Sequence, residues 1–290
     1  AGALAARARD AGAALCRGGE ARLASVWDAE ARGAVRRAFE TSARSYGAGA
    51  ASAVIDVLDE YGRGWVAGHR DACEATRTRG EQSEAVLELR MACLERRLGD
   101  LTSQVAVLRS ADALVVEKSL VAARRLPPLA DCSDGEMLRS ASAAPPRVED
   151  RPRARAAQGD VDRGRALLWA GRLPEAETLA RSAAETARGI GFRPLEAEAL
   201  TLLGEVERHR GDYEGAARTL VTAGRAALAG KRDDVLVAAW TELLWVRGQG
   251  QQQLEEAQRV ADDARAALER LPRPEQARIT LLEYESGLSF

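Results

Sequence analysis

Gly171-Arg172-Leu173-Pro174-Glu175-Ala176 returns as Gly211-Asp212-Tyr213-Glu214-Gly215-Ala216, an offset of 40 residues, and this recurrence decides the fold. Ala257, within Gln252-Gln253-Leu254-Glu255-Glu256-Ala257, follows Ala216 by 41, and Leu200 is matched by Trp240. Around each match the pattern is the same: an apolar helix, a short turn at glycine or a polar cluster, then a second helix. Ala176 and Ala183, Ala216 and Ala223, and Ala257 and Ala264 are each seven apart, which puts two small residues on one face of each second helix. A unit of this size cannot bury its apolar face alone, so the pattern implies stacked helix pairs. About three fit between 158 and 271, and 274–287 reads as the first helix of another.

Composition agrees with an all-α chain. Hydrophobic residues make up 46%, aromatics only 4% and charged residues 30%, a balance of Ala, Leu, Arg and Glu that favours helices over strands. Lys118 and Lys231 are the only lysines, and 44 acids against 42 bases leave a net charge of -2. That is no electrostatic footprint for nucleic acid. Arginine pairs such as Arg36-Arg37, Arg96-Arg97 and Arg124-Arg125 alternate with acids at helical spacing, as on a solvated helix face. No stretch approaches the roughly 20 apolar residues that span a bilayer, and the N-terminus lacks a cleavable-signal pattern. The chain begins at Ala1 and ends on Ser286-Gly287-Leu288-Ser289-Phe290, and it is expected to be a piece of something larger.

Upstream of the repeats, a first helix carries Trp27, Val35 and Phe39 on one side and is followed by Gly-Ala-Gly-Ala at 47–50. A longer helix then places Val54, Leu58, Tyr61, Trp65 and His69 at steps of three or four. Gly80 and the capping-capable Ser83 predict a hairpin tip, the alternative being one continuous helix through Gly80. Val86, Leu87, Leu94 and Leu98 resume the helical period, and another helix lies near 110–125. Leu126-Pro127-Pro128-Leu129 stops it. The expected organisation is a helical bundle with four cysteines over 1–140, a Ser-, Ala-, Pro- and Arg-rich linker over 141–157, and repeats over 158–290.

The repeat residues resemble a known family. Leu203-Gly204, then Gly211, Ala216, Leu220 and Ala223, is similar to the tetratricopeptide signature of Leu-Gly, Gly, Ala, a large apolar residue and Ala. Glu207 stands where that family usually has an aromatic, the pairs run about 40 residues rather than 34, and no proline closes each unit. The resemblance implies an α-solenoid whose first helices line a concave groove. Around Leu203 the groove positions would be Thr201, Glu205, Arg208 and His209, and around Leu243 they would include Thr241 and Trp245. Trp169, like Trp245, falls on a different side of its helix from the packing positions, whereas Trp27, Trp65 and Trp240 fit core stripes. Such a groove would hold an extended protein or peptide ligand or an acidic tail, unless it packs on the other half of the chain.

A second resemblance covers the first half. Trp65-Val66-Ala67-Gly68-His69-Arg70-Asp71-Ala72-Cys73-Glu74-Ala75-Thr76, with Arg79-Gly80-Glu81-Gln82-Ser83-Glu84 and Leu89-Arg90-Met91-Ala92-Cys93-Leu94, resembles the region after the kinase domain in large myxobacterial-type serine/threonine kinases. In those proteins a kinase, a membrane helix, this helical segment and a tetratricopeptide array follow one another. The kinase motifs themselves are missing here: there is no Gly-x-Gly-x-x-Gly loop, no His-Arg-Asp and no Asp-Phe-Gly. The resemblance therefore implies a non-catalytic sensor or scaffold region on the extracytoplasmic side, with a cytoplasmic placement as the alternative; a free-standing adaptor is the alternative function and a helical hydrolase a third reading.

Cys16, Cys73, Cys93 and Cys132 lack Cys-x-x-Cys spacing, which argues against metal, and leaves disulfides or buried thiols. With a tip near 80–83, Cys73 and Cys93 face each other across a hairpin nearly symmetric about Ser83, and Cys16 and Cys132 pair by elimination. His69 and His209 are the only groups suited to general base work near neutral pH, and neither has a nucleophile or second metal ligand nearby in sequence. No catalytic residue, cofactor or metal is expected.

Overall fold

A computed structural model of the chain describes residues 16–43, 45–140 and 145–288, and these residues form helices and turns without a strand. They divide into two compact units: one runs through Arg139 and takes in Trp169–Gly171, and the other comprises Ser140–Leu168 with Arg172 onward.

The first unit is built round one long helix. Its elements are α1 (Gly19–Ala24), α2 (Ala29–Ser42), α3 (Gly47–Arg77), α4 (Glu84–Arg109), α5 (Ala113–Arg124), a 3-10 turn (Leu129–Ser133) and α6 (Gly135–Ser140). α1, α2, α4, α5 and the 3-10 turn all pack on α3. This follows from the α3 sequence: Ala51, Val54, Leu58, Trp65 and Ala72, all fully buried, recur at helical spacing on its inward side. Asp28, Ser83 and Asp112 cap α2, α4 and α5, each side chain accepting from an amide three residues on.

Three expectations change here. The helix carrying Val35 and Phe39 starts after Trp27, because Asp28 caps it, and the Trp27 indole instead donates to Asp59 Oδ1 at 2.6 Å. The 47–50 stretch belongs to α3 rather than preceding it: a Cβ at Gly47 would collide with the Phe39 carbonyl, so glycine lets the helix start against the end of α2. Helix α7 begins at Arg151, so 151–157 is helical and not linker, while 141–144 lie outside the described residues. The tip of the α3–α4 hairpin, by contrast, is a true turn, with Gly80 at φ 66°.

The second unit consists of three helix pairs and a final helix: α7 (Arg151–Trp169) with α8 (Leu173–Gly189), α9 (Arg193–His209) with α10 (Tyr213–Gly230), α11 (Asp233–Trp245) with α12 (Leu254–Leu268), then α13 (Glu275–Ser286). Consecutive helices pack together from α8 to α13, and α9 also touches α11, which touches α13. Ala176, Ala183, Ala216, Ala223, Ala257 and Ala264 are all completely buried, and a Cβ at Gly204 would sit 2.5 Å from Leu220 Cγ. Small residues thus let the helices of a pair approach closely.

What sets the period is the turn. Gly171, Gly191, Gly211, Lys231 and Gln252 all have positive φ, 20 or 21 residues apart. In the first four turns the next amide reaches back five residues, as in Arg172 N to Leu167 O and Asp212 N to Glu207 O, which is the Schellman closure. A π-turn at Val246–Gly250 absorbs one extra residue, so Gln253 N reaches Arg247 O instead, and this accounts for the final offset of 41. Lys231 sits at φ 54° where the preceding turns have glycine. Replacing Lys231 by Gly is expected to stabilise the second unit by about 0.5–1 kcal/mol, because a side chain in the left-handed region is strained. A thermal melt that fails to shift upward would refute this.

Candidate functional site

The first helices of the second and third pairs gather a cluster of charged and aromatic side chains. The Arg208 guanidinium lies 4.8 Å from the Trp245 ring centre, a cation–π distance, and its Nε donates to Glu242 Oε2 at 2.7 Å. The other Glu242 oxygen accepts from the Tyr284 hydroxyl at 3.1 Å, so one carboxylate links α9, α11 and α13. Burial raises the Tyr284 phenol, and the Glu242 charge adds to it. The Tyr213 ring stands 5.8 Å from Trp245, and Gln251, which follows the π-turn, donates to the Tyr213 carbonyl at 3.3 Å. Arg208 Nη2 is 3.1 Å from the exposed His209 Nε2. Half-exposed Trp245 and exposed His209 therefore stand at the rim of a polar network whose inner members are held by each other.

Of the expected groove residues, Arg208, His209 and Trp245 lie in one locality, with Glu205 close enough to Tyr284 to raise its phenol. Thr201 and Thr241 do not line it. They are 6% and 4% exposed, on helices α9 and α11 that pack against each other, and Thr201 donates its hydroxyl to Ala197 O one turn back in its own helix. Trp169 is also elsewhere: it groups with the first unit, where the Arg125 guanidinium lies 3.9 Å over its ring. Glu242 and Tyr284 were missed, since in sequence they look like ordinary helix-surface residues and only the stacking of three helices joins them.

The cysteines are all in disulfides, Cys16 with Cys73 and Cys93 with Cys132, at Cα separations of 5.6 and 5.4 Å. The expected Cys73–Cys93 and Cys16–Cys132 pairs are thus corrected. The register of the hairpin explains why. The Trp65 indole donates to Leu94 O at 2.7 Å and Arg90 bonds Asp71, pairs symmetric about residue 80 and not about Ser83. Cys93 therefore lies opposite a point about six residues from Cys73, roughly 9 Å along the axis and out of bonding range.

His69 is buried against Trp65, its Nδ1 without a hydrogen-bond partner among the described residues; burial lowers its pKa, assisted by the nearby Arg22. Glu207, at the position where tetratricopeptide units carry an aromatic, is 9% exposed, and burial raises its carboxyl. Among the described residues there is no metal-ligand cluster of histidine, cysteine and carboxylates, and no helix is long and apolar enough to cross a membrane. No protein-family model matches the chain, and neither a curated relative nor a solved structure matches it.

Proposed function

We propose that this chain is a protein- or peptide-binding region, built on a tetratricopeptide-like α-solenoid, that serves as the sensor or scaffold part of a serine/threonine kinase. The observation that carries the binding reading is the Arg208–Trp245 stack, fixed by Glu242 and flanked by Tyr213 and His209. Arg and Trp are the side chains that most often anchor protein interfaces, and a pre-positioned pair loses little freedom on binding. Its contribution is binding energy and not bond making.

Support for a repeat array comes from the three helix pairs, their 20-residue turn spacing and the contacts of α9 with α11 and α11 with α13. Two disulfides support an oxidising, extracytoplasmic setting. The kinase attachment rests on the resemblance of 65–94 alone, and the reading frame upstream of Ala1 tests it: kinase motifs followed by an apolar span support it, and an unrelated domain leaves a free-standing adaptor. The binding reading is tested by selecting displayed random peptides on the whole chain. Peptides are expected whose affinity falls about tenfold or more on Trp245→Ala, the usual cost of an aromatic anchor. Failure to select any, or equal affinity for a variant with an unchanged melting curve, would remove this site from consideration.

A further inference from the structure

The start of the first unit runs along α3 in the opposite direction, like a strap. Cys16 is bridged to Cys73, and a Cβ on Gly19 would stand 3.2 Å from His69 Nδ1. Glu20 pairs with Arg70, and a Cβ on Gly62 would stand 3.0 Å from Leu23 Cδ2. The Trp27 indole then donates to Asp59 Oδ1 at 2.6 Å. Residues 16–27 thus descend α3 from 73 to 59 in step. Both ends are fastened, one by the covalent bridge and the other by the buried indole with Arg32, whose Nε donates to the same Asp59 oxygen at 2.7 Å. Between them lies α1, six residues long and without a side-chain cap at its start. A helix of that length has no stability of its own, so α1 stays helical only while it is seated on α3.

The seat contains a titratable group that has nothing to bind. His69 is 9% exposed, and its Nδ1, against Gly19, has no hydrogen-bond partner among the described residues. Gly62, Trp65 and His69 follow one another on one stripe of α3, with the Trp65 and His69 ring centres 5.3 Å apart. The charged groups that face the imidazole are already matched. They are Glu20 and Arg22 from α1, Glu95 from α4 and Arg70 from α3 itself, and they pair as Glu20 with Arg70 and Arg22 with Glu95. A proton on His69 therefore adds a buried positive charge to a balanced set, beside Arg22 and without a spare carboxylate to receive it. Burial, and after it Arg22, lower the imidazole pKa, and Glu95 and Glu20 offset only part of this.

We infer that residues 16–27 form an acid-released strap: protonation of His69 lifts α1 off α3 and uncovers the side of α3 that carries Gly62 and His69, while the Cys16–Cys73 bridge and the Trp27–Asp59 bond hold the ends in place. Lifting α1 gives the imidazolium access to water, and the two tethers keep the opening local and reversible. The sign follows from the closed form holding His69 below its ordinary value. Closure is fully stable above about pH 6.5 and weakens as pH falls, and one proton changes the ratio of open to closed by at most about tenfold per pH unit.

The test is amide hydrogen exchange on the full, oxidised chain between about pH 7.5 and about pH 5, corrected for the pH dependence of the chemical step and read on peptides from α1 and α4. In the wild type, opening of α1 is expected to rise about tenfold or more toward the lower pH while α4 stays protected, and in H69Q it should be the same at both. NMR titration of the His69 imidazole, assigned against the exposed His209, needs no variant at position 69 and should place its midpoint within the interval over which α1 opens. Unchanged protection of α1 in the wild type overturns the inference, and so does an equal rise in H69Q, which would assign the effect to another group. An equal rise in α4 overturns it as well, because the whole unit would then be opening, as does a His69 titration that runs to completion while α1 stays protected.

Discussion

Reduction of the two disulfides is expected to melt the first unit while leaving the second untouched. Each bridge closes a long loop, with sequence separations of 57 and 39, and the loss of unfolded-state entropy stabilises the fold by about 4 kcal/mol per bridge. Domains of this size are stable by about 5–15 kcal/mol in total, so losing both bridges removes most of that margin. All four cysteines belong to the first unit, which makes the second an internal control. Calorimetry with and without a thiol reductant should show one transition moving down and another staying in place. A single unchanged transition would mean that the bridges do not hold the unit together.

Replacing Arg232 by Leu is expected to cost the second unit about 3 kcal/mol, and the double replacement R232L/E198L should recover most of it. Arg232 Nη1 donates to Glu198 Oε1 at 2.6 Å and Nη2 to Asp234 Oδ2 at 2.7 Å. Its side chain is 12% exposed and that of Glu198 only 5%. Burial pushes the Arg232 pKa down, but Glu198 and Asp234 more than offset it and raise it above the ordinary value. The single variant leaves the Glu198 carboxylate buried without its countercharge, with Oε2 still accepting from Gln158 Nε2 at 3.2 Å, whereas the double variant leaves an apolar pair. A buried carboxylate without its countercharge favours the protonated form, so the deficit of R232L should be present at neutral pH and shrink as pH falls and Glu198 takes up a proton. Chemical denaturation of wild type, both single variants and the double variant measures the coupling, and an additive cycle would show that the pair is not a unit.

Much of this architecture was legible before any coordinates. The 40-residue recurrence located the helix pairs because it marks the turns, where Gly171, Gly191 and Gly211 supply the left-handed residue that ends each helix. Lys231 and Gln252 take the same conformation without the glycine signal, so two of the five turns could be placed only by spacing. The start of α7 was hidden because Arg151–Ala157 is rich in Arg and carries Pro152, although Pro in the first helical turn is compatible with a start there. At the site, Arg208 and Trp245 were legible as residues off the main packing stripe, although the Arg208 side chain is only 12% exposed; their partners Glu242 and Tyr284 were not legible.

The sequence by itself determined that the described residues are helical, where the glycine turns between the repeat helices fall, and that the six repeat alanines are buried. These outcomes depend on capping, helical periodicity and turn chemistry among residues within a turn or two of each other. Only the tertiary structure decided which cysteines join, that Thr201 and Thr241 are covered, and that Arg208, Glu242 and Tyr284 form one network. Each of those depends on the axial register of helices tens of residues apart, and a shift of two turns along a helix leaves local sequence preferences almost unchanged while exchanging every partner across the interface.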